Sequence, residues 1–319
     1  MRQPLPFSRR HLLVGGLSVA LLAACSDPPG AVQADSAADL DAGPEADVDA
    51  GPPVPTTDNR IELLEQRYGV VVGLWALDVL GGRSLAHRAE ERFAMCSTFK
   101  TYAAAAVVRK SERGEIALSD TVTIEPADII AHSPVTGTRV GAAMTLAELC
   151  RAALQQSDNA AANWLLRVLG GPSAVTEFAR SIGDEESRLD RWETELNSAV
   201  PGDLRDTTTP GALGLGYRNL LAGKALGAAG RQQLTDWMLG NGTSSMRAGL
   251  PAGWTSADKT GSGGYGTTND VGIAYAPDGQ QLLLSMMSRS ATDDPAALNQ
   301  RPMLGELAAI AVGDLLQGQ

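Results

Sequence analysis

The sequence predicts an α+β fold in which an antiparallel sheet domain, built from both ends of the folded chain, is flanked by helices and carries an inserted all-α domain. Strand patterns occur near residue 70 and return after residue 255, and helical patterns fill the region between them. With 319 residues, 44% of them apolar, the chain can bury a substantial core. We expect sheet residues at about 59–92 and 240–319, helical residues at about 93–239, and a site in the cleft between these parts.

The first elements are a helix and a hairpin. Residues 61–68 have a helical pattern that ends at Gly69, and residues 70–79 are rich in β-branched and apolar residues. Gly81-Gly82 is a turn sequence, from which the chain returns over residues 84–88. The pattern predicts two neighbouring antiparallel strands.

The central block is predicted to be helical, beginning with an Ala-rich stretch. The predicted helices cover residues 98–113, 146–155, 160–168, 174–182, 212–221 and 231–239. Strand patterns follow at residues 255–259, 271–276 and 281–288, and the last helix covers residues 303–316. This order of strands, helices and strands predicts a sheet that is discontinuous in the sequence.

The first 25 residues resemble an export signal. Arg9-Arg10, which resembles a twin-arginine signal, precedes an apolar run at residues 12–24 that is too short to span a bilayer. The run ends in Leu22-Ala23-Ala24-Cys25, which resembles a bacterial lipobox. We expect acyl chains on Cys25 to anchor the protein on the periplasmic side of a membrane, and Ser26 favours the outer membrane. A plain signal peptide with an incidental cysteine is the alternative.

Residues 26–58 are predicted to form a disordered tether. They are rich in Asp, Ala, Pro and Gly, and carry eight acidic residues and no basic one. Such a segment cannot bury enough apolar surface to offset its chain entropy, and its like charges favour extended conformations. It accounts for most of the formal net charge of −11, so residues 59–319 are moderately acidic. This acidity argues against nucleic acid as a partner, because phosphate binding requires a basic surface.

Ser97-Thr98-Phe99-Lys100 stands at the start of the predicted Ala-rich helix. Side chains three residues apart share a helix face, so the Ser97 hydroxyl and the Lys100 amine can touch. The positive end of the helix can stabilise an oxyanion and, with desolvation, can lower the lysine pKa until the amine accepts a proton. The same spacing also occurs where serine caps a helix and the lysine is solvated.

Two further short motifs combine small polar residues with a lysine or an acid. Ser157-Asp158-Asn159 lies between two predicted helices, where such residues also serve as caps. Lys259-Thr260-Gly261 ends a predicted strand and precedes a Gly-rich turn. Each motif taken alone fits an ordinary structural role.

Taken together and in this order, the three motifs resemble the signature set of class A β-lactamases and penicillin-binding proteins. Residues 191–197 (RWETELN) resemble the Ω-loop of class A β-lactamases, and residues 203–208 resemble its end. On these motifs the folded part of the chain is identified as a member of the class A β-lactamase family. The resemblance implies a β-lactamase/transpeptidase-like fold and hydrolysis of β-lactam antibiotics.

The resemblance implies a chemical role for each matching residue. Ser97 Oγ attacks the lactam carbonyl, and Lys100 or Glu193 is the base that activates it. Ser157 relays a proton to the departing nitrogen. Glu193 and Asn197 activate the water that hydrolyses the acyl-enzyme.

The resemblance also implies a binding surface for the drug. The backbone N–H groups of Ser97 and Ser262 form an oxyanion hole, and Asn159 contacts the acylamide side chain. The residues that hold the substrate carboxylate are Lys259, Thr260 and Ser262. His132 occupies a position beside the cleft.

Two arginines have roles that depend on the resemblance. Arg191 and Asp206 close the neck of the Ω-loop as an ion pair, the alternative being two solvated surface charges. Arg301 resembles an arginine that cefotaxime-hydrolysing relatives use for the substrate carboxylate, because Thr268 stands where many other relatives have arginine. A solvated residue at a helix end is the alternative for Arg301.

Cys96 and Cys150 are expected to remain free thiols. Relatives pair a cysteine at each of these positions with a second one, but the partner positions here are Gly263 and Ala104. No His/Cys cluster has metal-ligand spacing, so neither a metal nor another cofactor is expected. The expected partners are small-molecule β-lactams and, only through the lipid on Cys25, a membrane, and we expect a monomer.

Three other functions fit parts of the sequence. A penicillin-binding D,D-peptidase shares the acylation machinery, and a non-catalytic β-lactam sensor would stall as an acyl-enzyme. Glu193 and Asn197 argue against both, because they supply the hydrolytic water. A structural surface lipoprotein gives no reason for Ser97, Lys100 and Lys259 to occur together.

Overall fold

The computed structural model describes residues 56–317. The predicted signal segment, Cys25 and nearly all of the predicted tether lie outside the described residues. The first helix begins at Thr57, slightly before the predicted boundary, because the Thr56 hydroxyl accepts a hydrogen bond from Asn59 N and caps the first turn. Within the described residues, no helix is both long and apolar enough to cross a bilayer.

The helices and strands follow the predicted order. The α-helices of the described residues are α1 (Thr57–Tyr68), α2 (Phe99–Glu112), α3 (Leu146–Gln155), α4 (Asn159–Leu169), α5 (Ser173–Ser181), α6 (Pro210–Leu221), α7 (Ala228–Leu239) and α8 (Arg301–Leu316). The strands are β1 (Val70–Asp78), β2 (Ser84–His87), β3 (Phe93–Ala94), β4 (Thr121–Thr123), β5 (Ala143–Thr145), β6 (Thr207–Thr208), β7 (Thr255–Ser262), β8 (Thr268–Tyr275) and β9 (Gln281–Ser290). The predicted bounds differ from these by a few residues, as is usual at element ends.

The main sheet is antiparallel throughout, with the strand order β2-β1-β9-β8-β7. β1 pairs with β9 from Val70↔Ser290 to Asp78↔Leu282, so strands from the two ends of the folded part lie side by side. β7, which carries Lys259-Thr260-Gly261, is an edge strand. The predicted α+β fold with a discontinuous antiparallel sheet is confirmed.

Helices cover the sheet on both faces. Alternate residues of β1 and β9, such as Leu74 and Met286, pack with α1 and α8 in one hydrophobic cluster. The intervening residues, such as Trp75 and Met287, face the larger cluster to which α2 to α7 contribute. Because side chains alternate along a strand, each face of the sheet buries its own hydrophobic surface.

Helix α2, which begins two residues after Ser97, lies inside the helical part. All of its residues from Phe99 to Val108 are buried, and it contacts α3, α4, α5 and α7. Its small residues Ala103–Ala106 let these neighbours pack closely against it on several sides. The residues at its start are therefore held on a rigid support.

Two short sheets were not predicted. β3 pairs with β6, and β4 pairs with β5, over two and three residues. Segments of this length show no readable periodicity. β7 also continues beyond Lys259, where the sequence predicts its end, and pairs Ser262 with Thr268.

Candidate active site

Ser97 lies in a short 3-10 turn directly before α2. Cys96 in this turn has a left-handed φ of 46°, which costs a non-glycine residue about 1–2 kcal/mol. The turn is held from two sides, because Met95 O accepts from Asn269 Nδ2 at 3.1 Å and Met95 N donates to Asp206 O at 2.8 Å. The sheet and the end of the Ω-loop thus both fix the nucleophile.

Two glycines let β7 and the following turn approach the nucleophile closely. A Cβ atom at Gly261 would lie 2.7 Å from Met95 O, and one at Gly263 would lie 2.7 Å from Asn197 O. Neither contact is possible for a residue with a side chain unless the backbone moves.

Ser97, Lys100 and Glu193 converge at one carboxylate oxygen. Ser97 Oγ donates to Glu193 Oε1 at 3.4 Å, and Lys100 Nζ lies 3.0 Å from the same oxygen. Lys100 Nζ also donates to Ser157 O at 2.8 Å and to Asn159 Oδ1 at 2.6 Å. The direct contact that helical spacing predicts between Ser97 and Lys100 is not among the hydrogen bonds of residues 56–317. The ammonium turns to the carboxylate and the two oxygens, because charge-assisted hydrogen bonds are the stronger ones.

The surroundings of Lys100 lower its pKa. Desolvation of the fully buried ammonium is the largest cause, and the neighbouring Glu193 carboxylate opposes the shift. A lower pKa favours the neutral amine more than in an ordinary lysine, and the neutral amine is the form that can accept a proton.

Ser157 lies between two lysines. Its Oγ accepts from Lys259 Nζ at 3.0 Å and from Lys100 Nζ at 3.4 Å. Burial, and then the charge of Lys100, lower the pKa of Lys259 to about 7. The hydroxyl therefore contacts two lysines whose pKa values are both lowered by burial.

The loop that carries Ser157 is organised by Asp158. The Asp158 carboxylate accepts from the backbone N–H groups of Val135 and Thr136, each at 2.9 Å, and it caps α4 through Ala161 N at 2.8 Å. Ser157 itself has a left-handed φ of 55°. Strained backbone of this kind persists where the surrounding contacts hold it.

Glu193 is held through its backbone and its side chain. Asn163 on α4 donates Nδ2 to Glu193 O and accepts from Glu193 N, both at 3.0 Å. Asn197 Nδ2 donates to Glu193 Oε2 at 2.5 Å. Asn197 Oδ1 is buried without a hydrogen-bond partner among the described residues, which leaves an acceptor next to the carboxylate. The peptide bond from Glu193 to Thr194 is cis.

Arg191 and Asp206 form an ion pair at the neck of the Ω-loop. Arg191 Nε donates to Asp206 Oδ2 at 2.6 Å. The other oxygen of the fully buried Asp206 accepts from Asp190 N at 2.7 Å and from Arg191 N at 3.0 Å. The two charges are therefore not separated surface charges.

Residues of all three sequence motifs, together with Asn197 of the Ω-loop, surround a cleft of about 330 Å³. Arg301, exposed at the start of α8, donates to Thr243 O at 2.6 Å, and His132 Nε2 lies 3.0 Å from Gln156 O. The residues that line the cleft are Ser97, His132, Ser157, Asn159, Asn197, Thr243, Thr260, Gly261, Ser262, Asn299 and Arg301. Lys100, Glu193 and Lys259 are buried beside this lining.

Asn163 and Thr243 support the site in ways that the sequence does not predict, and Asp158 combines the capping role open to it with hydrogen bonds to Val135 and Thr136. Thr243 Oγ1 lies 2.6 Å from Thr260 Oγ1, and Thr243 O accepts a hydrogen bond from Arg301. Asn163, which interrupts the apolar run from Ala160 to Leu166, could have indicated such a role from the sequence, because buried amides require hydrogen-bond partners.

The remaining predictions concern the two cysteines, a metal site and the residue at position 268. Cys96 and Cys150 are free and buried, and burial raises the pKa of both thiols. Between residues 56 and 317, no group of three or more His, Cys, Asp or Glu side chains is arranged to hold a metal ion. Thr268 is buried in β8.

The sequence matches known enzymes over the folded part of the chain. Residues 56–313 match the Beta-lactamase enzyme family. β-Lactamase FAR-1 of Nocardia farcinica is 45% identical over 251 residues, which cover 78% of this chain and 80% of the relative. β-Lactamase CTX-M-25 of Escherichia coli is 46% identical over 253 residues, covering 79% and 86%. β-Lactamase AST-1 of Nocardia asteroides is 42% identical over 319 residues, covering 98% of both chains.

Solved structures share the same fold. An ancestral class A β-lactamase (GNCA) aligns with a TM-score of 0.77 at 46% identity, covering 81% of this chain and all of that one. A β-lactamase from Desulfarculus baarsii aligns with a TM-score of 0.79 at 42% identity, covering 82% and 97%. These similarities extend over nearly the whole described part, in which the three sequence motifs surround one cleft. The chain belongs to the class A β-lactamase family.

Proposed function

We propose that this protein hydrolyses β-lactam antibiotics through a covalent acyl-enzyme on Ser97, which a water activated by Glu193 then releases. The position of Glu193 carries the proposal. Its Oε1 contacts the Ser97 hydroxyl and the Lys100 ammonium, and its Oε2 accepts from Asn197. Turnover of nitrocefin by the purified protein tests the activity, and a protein that is only acylated would contradict it.

In the acylation step, Ser97 Oγ attacks the lactam carbonyl carbon and the C–N bond of the ring breaks. The contact of Ser97 Oγ with Glu193 supports the carboxylate as acceptor of the hydroxyl proton, and the lowered pKa of Lys100 supports the amine. Ser157, in contact with Lys100 and Lys259, passes a proton to the departing nitrogen.

In the deacylation step, a water attacks the ester carbonyl and Ser97 leaves with a proton. Glu193 is the base, and Asn197 holds the water with it. The buried Asn197 Oδ1, which has no partner among the described residues, supports this role because it can accept a hydrogen bond from the water. Asn163 and the ion pair of Arg191 with Asp206 position the carboxylate.

The drug binds along the lining of the cleft. The backbone N–H groups of Ser97 and Ser262 stabilise the oxyanion. Asn159 contacts the acylamide side chain of the drug, and His132 lies at the border of the cleft. The groups that hold the substrate carboxylate are Lys259, Thr260, Ser262 and Arg301. The proposed enzyme acts as a monomer.

Arg301→Ala is expected to raise KM for a cephalosporin, with a larger rise at alkaline pH. Exposed ion pairs contribute about 0.2–1 kcal/mol, which corresponds to at most about a fivefold change at pH 6. Because the pKa of Lys259 is lowered to about 7, its positive charge is lost as pH rises through that value, and Arg301 then remains the charged group. The KM ratio of variant to wild type, measured at pH 6 and 8.5, should therefore increase.

The matched control for this experiment is Arg289→Ala. Arg289 pairs with Glu91 at 3.0 Å and does not line the cleft, so its loss should leave KM unchanged. An Arg301→Ala variant with wild-type KM at both pH values would return Arg301 to the role of a solvated residue at a helix end.

We further infer that the protein is exported and held on the periplasmic side of a membrane, with the outer membrane favoured, by acyl chains on Cys25. The lipobox-like sequence before Cys25 and the acidic segment at 26–58 support this arrangement of anchor and tether. Metabolic labelling with palmitate should mark the wild type and not Cys25→Ser, and the variant should move to the soluble periplasmic fraction. Equal labelling of the two would exclude Cys25 as the lipidated residue.

A further inference from the structure

A second hydrogen bond, outside the cleft, connects α2 to the segment that precedes the Ω-loop. Tyr102, which follows Lys100 on α2, is fully buried, and its hydroxyl donates to Asp184 Oδ2 at 2.6 Å. Asp184 lies between α5 and the Ω-loop. This hydrogen bond joins α2, the helix that directly follows Ser97, to the segment that leads to Glu193.

The Asp184 carboxylate is buried and is held by neutral donors. Oδ1 accepts from Glu186 N at 3.0 Å and from Ser187 N at 2.9 Å, and Oδ2 accepts from the hydroxyls of Ser187 and Tyr102. Among the side chains of residues 56–317, none forms an ion pair with this carboxylate, and Arg180 donates to the Asp184 backbone carbonyl instead. A buried carboxylate in this situation is strongly destabilised when one of its donors is removed.

The hydrogen bonds continue to the far end of the loop. Ser187 Oγ lies 2.6 Å from Thr208 Oγ1, and Arg188 N donates to Thr207 O at 3.0 Å. Ser187 precedes the Ω-loop, and Thr208 is the last residue of its end. The hydroxyl of Tyr102 is thereby linked to both ends of the loop.

The pocket of Tyr102 is shaped for its hydroxyl. A Cβ atom at Gly216 on α6 would lie 1.7 Å from the Tyr102 oxygen. The Tyr102 ring packs near Phe178 and Tyr217, with centroids 6.1 and 5.9 Å apart. Phenylalanine could fill the same ring position, so the feature that is specific to tyrosine here is the donated hydrogen bond.

We propose that Tyr102 is a positioning residue for deacylation: its hydroxyl holds both ends of the Ω-loop to α2, and so keeps Glu193 and Asn197 aligned with the acyl group on Ser97. This inference rests on the proposed role of Glu193. Lys100, the other candidate base for acylation, lies in the first turn of α2, directly after the turn that carries Ser97, and depends less on the link. Loss of the hydroxyl therefore slows release of the acyl group more than attack by the serine.

The test is Tyr102→Phe, which keeps the ring and removes the donor. We expect kcat for a penicillin to fall on the order of tenfold, within the ~10²-fold that a ~1 Å misplacement can cost. Intact-mass measurement should show the acyl-enzyme accumulating at steady state, while kcat/KM, which reports acylation, changes less. A purely structural role would lower the melting temperature without this accumulation.

Tyr217→Phe is the matched control. Tyr217 is also fully buried; its hydroxyl donates to Thr98 O at 2.8 Å and lies 2.8 Å from Thr101 Oγ1, without reaching the Ω-loop. Both phenylalanine variants should be less stable, but only Tyr102→Phe should accumulate adduct. Equal accumulation in the two would overturn the proposal, because loss of any buried hydroxyl would then suffice.

Ser187→Ala breaks the same link from the loop side, and it keeps the test open if Tyr102→Phe does not fold. Ser187→Ala should also accumulate adduct. If the adduct on Ser187→Ala, and on Tyr102→Phe where that variant folds, lasted no longer than on the wild type, the proposed role of the hydrogen-bonded link would be overturned. Glu193→Ala is measured in parallel. If Glu193→Ala also releases the acyl group at the wild-type rate, the proposed function fails, whereas slow release by Glu193→Ala alone contradicts only the role of Tyr102.

Discussion

Ser97→Ala is expected to lose turnover of nitrocefin by about 10³-fold or more while the protein remains folded. The change removes the only atom that forms the covalent intermediate, and groups that act as one catalytic unit lose most of their effect when any member is removed. The nucleophile turn is held by Met95, Asn269 and Asp206 through groups that the substitution leaves in place. Initial rates, together with a thermal melt, separate loss of chemistry from loss of fold.

A buried serine elsewhere provides the matched control for Ser97→Ala. Ser285 on β9 is fully buried, and its hydroxyl has no hydrogen-bond partner among the described residues. Ser285→Ala should therefore keep wild-type turnover. Hydrolysis near the wild-type rate by Ser97→Ala would contradict the serine mechanism as a whole.

Glu193→Ala is expected to trap the enzyme as its acyl intermediate. Lys100 remains available to activate Ser97, but deacylation loses its base, and removal of a general base costs on the order of 10²–10⁴-fold in rate. Intact-mass measurement after mixing with a penicillin should show the variant heavier by the whole drug, with a burst of one turnover. The wild type should carry little adduct at steady state.

Glu195→Ala is the control within the same loop. Glu195 is exposed and lies two residues after Glu193, so the variant should clear its adduct as fast as the wild type. If Glu193→Ala and the wild type held the adduct equally long, Glu193 would not be the deacylating base. The properties of a D,D-peptidase or a β-lactam sensor would then describe the protein better.

Much of the site could be anticipated from short motifs, because chemistry constrains residue type more tightly than folding does. Ser97, Ser157 and Lys259 occur in three motifs whose combined order indicates the family. Ser97 and Ser157 line one cleft, and Lys259 contacts the Ser157 hydroxyl from beside it. The hydrogen bond that helical spacing allows between Ser97 and Lys100 is not among those of residues 56–317. Helical spacing correctly predicts the shared face, but it carries no information about Glu193, which arrives from a loop 93 residues further along and binds the ammonium.

The supporting residues could not be anticipated in the same way. Asp158, Asn163 and Asp184 act through backbone groups of other segments, and such bonds depend on where distant loops lie. A local pattern cannot distinguish an asparagine that caps its own helix from one that holds a loop across the molecule.

The sequence by itself determined the α+β class, the order of the elements and the identity of the reacting groups, because hydrophobic periodicity and residue chemistry are local properties. Tertiary structure decided how the groups are used. It buried Lys100 and Lys259 and thereby lowered both pKa values. It brought Glu193 between nucleophile and amine, and it tied Tyr102 to Asp184. Desolvation and contacts between distant segments exist only once the chain is packed.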